Sequence, residues 1–402
     1  MPSITRQKLD QAVSLMEESG IDVWLTFVRE TSAGSDPVLP LLIEGSLTWQ
    51  SALLVSRNGR KVAVVGNYDA PALEASGDWD EVRPYVNDIR EALVGALDSL
   101  CDSVAQPKIG VNFSPDDDKA DGLTHGMYLL LQRYAQDTRF EGCFVSAAPL
   151  VRALRARKTE EEVARIQTAI AHTDSLFSQI ARFASVGTSE AGVQRFVHSL
   201  IDERGWGFGW ERAGNPIVNS GPDSMVGHGI PSEAIIVSPG HIFHVDLGVV
   251  VEGYSSDIQR CWYVPASGEA TAPEDVLRAF GAVTAAIEAG FRALRPGALG
   301  WEVDAAAREA IQDQGYPEYL HALGHQVGRL AHDGGTILGP RWERYGDTPF
   351  LPVEPGHVYT LELGVDVKGR GYLGLEEMVV VTESGAKWLT RRWPQIPLLG
   401  RW

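Results

Sequence analysis

The strongest constraint on the fold is a predicted β-hairpin at residues 241–264, HIFHVDLGVVVEGYSSDIQRCWYV. Its first half is rich in β-branched and aromatic residues, Glu252-Gly253 supplies a turn, and the second half returns as an antiparallel strand. Asp246 and Asp257 lie in the two strands, and the turn is expected to bring them roughly opposite each other. Two like charges at that distance repel and are costly to bury. A multivalent cation is the simplest compensation, and two polar positions on a solvated strand face are the alternative.

Composition excludes several classes of partner. The chain has 402 residues, enough for two or three domains, and a formal net charge of -18. That charge argues against nucleic acid or an anionic membrane as the main partner. No apolar run approaches the ~20 residues needed to span a bilayer, and the first twenty residues lack the apolar core of a secretory signal. Three cysteines predict a reducing, cytoplasmic setting with free thiols.

The first part of the chain alternates between helical and strand patterns. Helices are expected near residues 4–20, 90–100 and 124–134, with strands between them, including a pair joined by Asn58-Gly59. This mixture predicts a self-contained α/β domain at residues 1–150. A long helical pattern follows, in which Thr159 and Glu162 form a candidate capping box, and we place a second domain at residues 151–402.

The second domain contains a weak internal repeat. Residues 175–263 and 279–381 each run helix, helix, loop and acidic hairpin, which predicts a pseudo-twofold arrangement. In the second hairpin Glu362 and Glu376 are equidistant from Gly369, so they are expected to face each other. Glu377 is expected to point to the opposite face because side chains alternate along a strand.

Histidines cluster between the hairpins. His321, His325 and His332 fall within twelve positions of a chain that has ten histidines in all. Core histidines rarely cluster in this way, so the pattern favours a metal or acid–base role. His228 lies alone in the loop sequence GHGIP, where an exposed residue without a function is the more common interpretation.

The acidic hairpins and the histidine loop together supply five candidate metal ligands. They are Asp246, Asp257, His325, Glu362 and Glu376. Four carboxylates carry too much negative charge for one divalent ion and suit a pair of ions. Such a pair can hold a water between them, lower its pKa and polarise a carbonyl, which is equipment for hydrolysing an amide or ester. Motifs of serine hydrolases, P-loop NTPases and dinucleotide-binding dehydrogenases are absent.

The order and spacing of these residues resemble those of the pita-bread metallopeptidases, a family that includes methionine aminopeptidase, Xaa-Pro aminopeptidase, prolidase and creatinase. The motifs are D-x-G at Asp246, S-D-x-x-R at 256–260, G-H-x-x-G at 324–328, E-x-G at Glu362 and E-(D/E)-x-V-x-V-T at Glu376. The first 150 residues are similar to the creatinase-type domain of the Xaa-Pro aminopeptidase and prolidase branch. The resemblance therefore implies an α/β creatinase-like N-terminal domain and an α+β pita-bread catalytic domain.

The resemblance also implies metal-binding roles. Asp246 would chelate one ion, while Asp257 and Glu376 would bridge both. His325 and Glu362 would hold the second ion, and Glu362 would accept a proton from the attacking water.

Residues around the metals match the family in most respects. His228 and His332 would contact the scissile peptide and stabilise the tetrahedral intermediate, and His321 would line the proline pocket. An arginine is common two residues before the final glutamate, whereas this chain has Gly374 there. Arg370, at the nearby turn, is the candidate substitute for binding the far end of the peptide.

We therefore predict an Xaa-Pro aminopeptidase that uses two divalent ions, with Mn²⁺ favoured over Zn²⁺, Co²⁺ or Fe²⁺. The first alternative is a prolidase that acts on dipeptides. A metal-free creatinase fits less well because the full ligand set is present, and a non-catalytic binding module on the same fold is the remote alternative. The expected partners are short proline-containing peptides and a second copy of the chain, with neither nucleic acid nor membrane.

Overall fold

A computed structural model describes residues 2–227 and 229–400 of the chain. The chain divides into two compact units, Met1–Arg155 and Ala156–Trp402. None of the helices in the described ranges combines the length and apolar character that a bilayer crossing requires.

The first unit is built on a six-stranded mixed sheet in the order β4-β3-β2-β1-β5-β6. The strands are β1 (Val23–Val28), β2 (Ser51–Ser56), β3 (Lys61–Gly66), β4 (Glu81–Tyr85), β5 (Ile109–Val111) and β6 (Phe144–Ser146). The helices are α1 (Ile4–Ser19), α2 (Ala70–Ser76), α3 (Arg90–Leu100), α4 (His125–Ala135) and α5 (Ala148–Ala156).

Both faces of this sheet are covered. Trp24 of β1 packs in a core that also contains residues of α1, whereas Val23 and Leu25 pack in a second core with α3 and α4. Because successive side chains of a strand point to opposite faces, a sheet buried on both sides needs apolar residues at every position. This explains the continuous apolar runs in the sequence, and the predicted α/β class is confirmed.

Among its described residues, the second unit contains four long helices. They are α6 (Glu160–Phe183), α7 (Glu190–Arg204), α8 (Glu274–Ala293) and α9 (Gly300–Asp313). The helical pattern near residue 150 is interrupted, and α6 begins at the capping box, where the Thr159 hydroxyl accepts from the Glu162 amide and the Glu162 carboxylate accepts from the Thr159 amide. The capping-box interpretation is thus confirmed.

In the part of this unit that the structure describes, the strands form three small antiparallel sheets, in the orders β11-β10-β7, β12-β9-β8 and β13-β14-β15. The strands are β7 (Gly207–Phe208), β8 (Ile217–Ser220), β9 (Ile242–Leu247), β10 (Val249–Val251), β11 (Tyr254–Ser255), β12 (Ile258–Tyr263), β13 (Val358–Val367), β14 (Gly371–Thr382) and β15 (Gly385–Trp388). β14 lies against β12 and β9, so the two hairpins meet.

The expected repeat is visible in the order of elements. α6 and α7 precede the hairpin of β9 to β12, and α8 and α9 precede the hairpin of β13 and β14. Each helix pair is joined by a short turn with a glycine at positive φ, Gly187 at 92° and Gly297 at 85°. Glycine suits these positions because other residues rarely adopt that conformation.

Candidate active site

The first hairpin places Asp246 and Asp257 as diagonal neighbours. Asp246 lies opposite Gln259, and Asp257 is two residues nearer the turn. The sequence-based expectation that the two aspartates are roughly opposite needs this correction, because the turn is centred between Glu252 (φ 51°) and Gly253 (φ 76°). A shift of two residues keeps both carboxylates on one face of the sheet.

The second hairpin has the predicted register. Glu362 on β13 lies directly opposite Glu376 on β14. Glu377 points to the other face, where its Oε2 accepts from Nη2 of the buried Arg260 at 3.0 Å. Because side chains alternate along β14, Glu376 faces the cluster while Glu377 faces the core and pairs with Arg260.

The predicted ligands converge where the hairpins meet. Side-chain ligand atoms lie within 4.8 Å of one another in three overlapping triads, Asp246–Asp257–Glu376, His325–Glu362–Glu376 and Asp257–His325–His332. His325 Nε2 is 3.7 Å from Asp257 Oδ2 and 3.5 Å from Glu362 Oε1. All five predicted metal ligands therefore share one cluster, and His332 joins its edge.

The backbone of His325 is held by two hydrogen bonds to Thr360 of β13. Its amide donates to Thr360 Oγ1 at 3.2 Å, and its carbonyl accepts from the Thr360 amide at 3.0 Å. A Cβ on Gly324 would lie 2.0 Å from the Thr360 carbonyl oxygen, so this approach requires glycine. The ring of His332 packs edge-on against that of His325, with centroids 4.1 Å apart.

Burial changes the protonation of the whole cluster. Desolvation, reinforced by the neighbouring carboxylates, raises the pKa of Asp246, Glu362 and Glu376, and desolvation raises the pKa of Asp257. Desolvation, with the nearby His332, lowers the pKa of His325 to about 3. The protein alone therefore favours protonated carboxyls and a neutral imidazole, and neutral imidazole is the form that binds metal.

The donor set fits divalent cations. Among the described residues, Asp246 Oδ1 and Glu376 Oε2 are buried and have no hydrogen-bond partner. Such orphaned oxygens are costly unless something positive binds them. Carboxylate oxygens with one or two imidazoles suit manganese, zinc, cobalt or iron.

Other predicted site residues have different surroundings. His321 is outside the triads, with its Nδ1 2.7 Å from the Ala322 carbonyl oxygen and its ring beside Tyr319. His228 lies outside the described residues. Arg370 is not brought to the cluster, because its guanidinium pairs with Asp275 at 2.6 Å and donates to the Gly240 carbonyl at 3.1 Å.

Three buried polar residues behind the cluster, Asn219, His244 and Gln259, were not predicted from the sequence. They are hydrogen-bonded in a row that ends at Glu362. The signal that could have found them is a histidine in an otherwise apolar strand, two positions before Asp246 and therefore on its face.

Comparison with known proteins identifies the family of this chain. The model of metallopeptidase family M24 matches residues 164–383, more than half of the chain. The chain belongs to metallopeptidase family M24. The matched segment includes all five predicted ligands, and the resemblance inferred from the motifs is confirmed.

Several relatives of this M24 protein are proline peptidases by name. An Xaa-Pro dipeptidase of Pyrococcus furiosus is 31% identical over 243 residues, which are 60% of this chain and 65% of that relative. The structure of dipeptidase PepE from Mycobacterium ulcerans is 25% identical, with a TM-score of 0.73 and 98% of each chain covered. An X-Pro aminopeptidase structure from Thermotoga maritima, at 24% identity and TM-score 0.71, covers 97% of this chain and 99% of that one and shows the shared pita-bread fold.

Proposed function

We propose that this M24 metallopeptidase is an Xaa-Pro aminopeptidase, which removes the first residue of peptides that have proline second. The observation that carries the proposal is the cluster of four carboxylates and His325, in which Asp257 and Glu376 are buried and the other three are half-buried. Two of its oxygens lack a partner among the described residues. The name of the Pyrococcus furiosus relative, an Xaa-Pro dipeptidase, supports proline specificity.

The ligand set favours two ions. Asp246, Asp257 and Glu376 form one triad and His325, Glu362 and Glu376 form another, and these five residues would together hold the two ions. The oxygen-rich set makes Mn²⁺ our first choice. When bound, the ions supply an activated water and polarise the scissile carbonyl.

The protein's own groups would then move the proton and hold the substrate. Glu362 would accept the proton of the attacking water, and His332 would donate a hydrogen bond to the developing oxyanion, together with His228. His321, half-buried beside Tyr319, would line the proline pocket. We leave Arg370 out of the mechanism because Asp275 holds it.

Peptide length separates this proposal from its alternative, a prolidase. A dipeptidase must bind the carboxylate of the residue after the scissile bond, for which a basic side chain is the usual solution. Position 374 is glycine, and His244, Gln259 and Tyr372 surround it. This favours longer peptides, whereas the name of the Pyrococcus furiosus relative favours dipeptides.

The test is cleavage by protein stripped of metal and reloaded with Mn²⁺. We expect an Xaa-Pro-Yaa tripeptide to be cleaved between Xaa and proline, and the stripped protein to be inactive. Cleavage of the Xaa-Pro dipeptide alone would establish the prolidase alternative. No cleavage of either peptide by metal-loaded protein would refute both and favour a binding module.

We also propose that the protein acts as a homodimer in the cytoplasm, with the creatinase-like domain at residues 1–150 supplying the dimer contact. Sedimentation at micromolar concentration is the direct measurement. A monomer would refute the dimer proposal.

A further inference from the structure

A row of polar side chains, each within hydrogen-bond distance of the next, runs through the core to Glu362. His244 Nδ1 lies 3.1 Å from Asn219 Oδ1, and His244 Nε2 lies 3.1 Å from Gln259 Oε1. Gln259 Nε2 then donates to Glu362 Oε2 at 2.9 Å. At the other end, Asn219 Nδ2 donates to Ser224 Oγ at 3.0 Å.

The row crosses one small sheet. Asn219 on β8 pairs in register with His244 on the central strand β9, and Gln259 is on β12 at the other edge. Gln259 lies opposite Asp246, and His244 is two positions from Asp246 on the same face. The three side chains are buried, with exposed fractions of 4%, 3% and 7% for Asn219, His244 and Gln259. Neighbouring strands therefore hold the amide of Gln259 in place.

The two oxygens of Glu362 have different surroundings as a result. Oε2 accepts from the Gln259 amide, while Oε1 lies 3.5 Å from His325 Nε2 in the ligand cluster. A donor on one oxygen sets the rotation of the carboxylate and so decides how the other oxygen is presented. Hydrogen bonds of this kind to a metal-binding carboxylate change affinity or activity by about 10–100-fold.

Gly374 leaves room for this row. A Cβ at position 374 would lie 2.9 Å from Gln259 Oε1 and 2.9 Å from His244 Nε2. It would also lie 2.5 Å from Cε1 of Tyr372, whose ring packs edge-on against His244. A side chain at 374 would therefore displace the Tyr372 ring, the Gln259 amide or the His244 imidazole.

We propose that Gln259 is a positioning residue for Glu362, that His244 and Asn219 hold Gln259 in place, and that Gly374 is glycine to accommodate them. The inference rests on the proposed function in that Glu362 is taken as metal ligand and proton acceptor. It concerns Gln259, His244, Asn219 and Gly374, none of which is among the five ligands or has a role in the proposed function.

The primary test is Gln259→Met, which keeps the length of the side chain and removes the donor. In metal-reloaded enzyme, kcat for the tripeptide should fall about 10–100-fold, and KM should change by less than about two-fold. The visible absorption of Co²⁺ titrated into metal-stripped protein should change in shape, and Co²⁺ should bind more weakly. The matched control is Gln194→Met, because Gln194 donates to the carbonyls of Ala213 and Pro216 outside the cluster.

A second variant disturbs the same row of side chains through a residue of the second hairpin. Gly374→Ala retains Gln259 but crowds it, and we expect the same direction of change in kcat and in the Co²⁺ spectrum. Gly374→Ala decides the question if Gln259→Met does not fold. Wild-type kcat together with a wild-type Co²⁺ spectrum in the folded variant would overturn the proposal. The spectrum needs no peptidase activity, so a wild-type protein that cleaves no Xaa-Pro peptide would refute the proposed function and leave this test intact.

Discussion

At the scale of single residues, Glu376 carries the largest conflict between stability and function. It faces Glu362 across the second hairpin and lies within ligand distance of Asp246 and Asp257. Burial raises its pKa well above the ordinary value, and its Oε2 has no partner among the described residues. A buried carboxyl without a partner opposes folding, and the proposed metal ions would offset that cost.

Glu376→Gln should therefore separate stability from activity. We expect hydrolysis to fall by about 100-fold or more and the bound metal to fall below the wild-type ratio. The metal-free variant should melt at or above the temperature of the metal-free wild type, because one of four crowded carboxyls is gone. Metal analysis, peptide cleavage and calorimetry measure these effects. Unchanged activity with unchanged metal content would remove Glu376 from the ligand set.

His332 offers a second test at this scale. The ring stands beside His325, and the residue forms the third triad with Asp257. If it acts on the substrate, His332→Ala should keep both metals and lower kcat by about 100-fold or more. Metal analysis beside steady-state kinetics distinguishes the possibilities, because loss of metal would make His332 a ligand instead.

At the scale of elements, the loop after β8 depends on the first turn of α7. Glu190, buried at the start of that helix, accepts from the Ser220 amide at 2.8 Å and the Ser224 hydroxyl at 2.6 Å. Its other oxygen accepts from the Ser232 amide at 3.1 Å. One carboxylate thus holds both ends of the segment that contains position 228.

Glu190→Ala should loosen this loop. We expect a loss of about 1–3 kcal/mol in the free energy of unfolding, because buried donors lose their acceptor, together with a fall in kcat. Glu233→Ala is the matched control, since Glu233 is an exposed carboxylate near the same loop that pairs with Arg195, and it should cost less than about 1 kcal/mol. Denaturant titration and peptide cleavage are the measurements. Equal effects of the two substitutions would contradict a special role for Glu190.

The two hairpins show which contacts can be predicted from turn residues and side-chain alternation alone. Turn residues and side-chain alternation were enough to place Glu362 opposite Glu376 and Glu377 on the other face. The same reasoning predicted that Asp257 lies opposite Asp246, whereas Gln259, two residues later in the chain, lies there. The reason is that the turn is centred one residue away from the midpoint of the two aspartates. A displacement of the turn by one residue moves the cross-strand pairing by two, which preserves the face.

At the scale of the whole molecule, burial also shifts the pKa of a group in the first unit, Asp36. Asp36 accepts from Asn112 Nδ2 at 2.8 Å and from the Val38 amide at 3.0 Å. Burial is the largest influence and raises the pKa of Asp36 to about 6 from the ordinary 3.8, against the opposing effect of these hydrogen bonds.

The pH dependence of stability follows from that shift. Between pH 3.8 and 6 the folded protein binds more protons at this group than the unfolded chain, so its contribution to stability falls as pH rises. The shift corresponds to about 3 kcal/mol at neutral pH. Asp36→Asn should therefore gain stability relative to wild type on going from pH 4 to pH 7. Thermal melts across this range test the difference, and parallel curves for wild type and Asp36→Asn would contradict it.

The sequence by itself determined the class of both units, the repeat of helix pair and hairpin, and which five residues would meet in one cluster. These features depend on periodicity, turn residues and motif order, which act over short stretches of chain. Tertiary structure alone decided the partners of the site. Gln259 donates to Glu362 from 103 residues away, and Arg370 is held by Asp275 from 95 residues away. The packing of strands that are distant in the chain determines which polar groups are buried together. Burial then raises the pKa of the carboxyls among them.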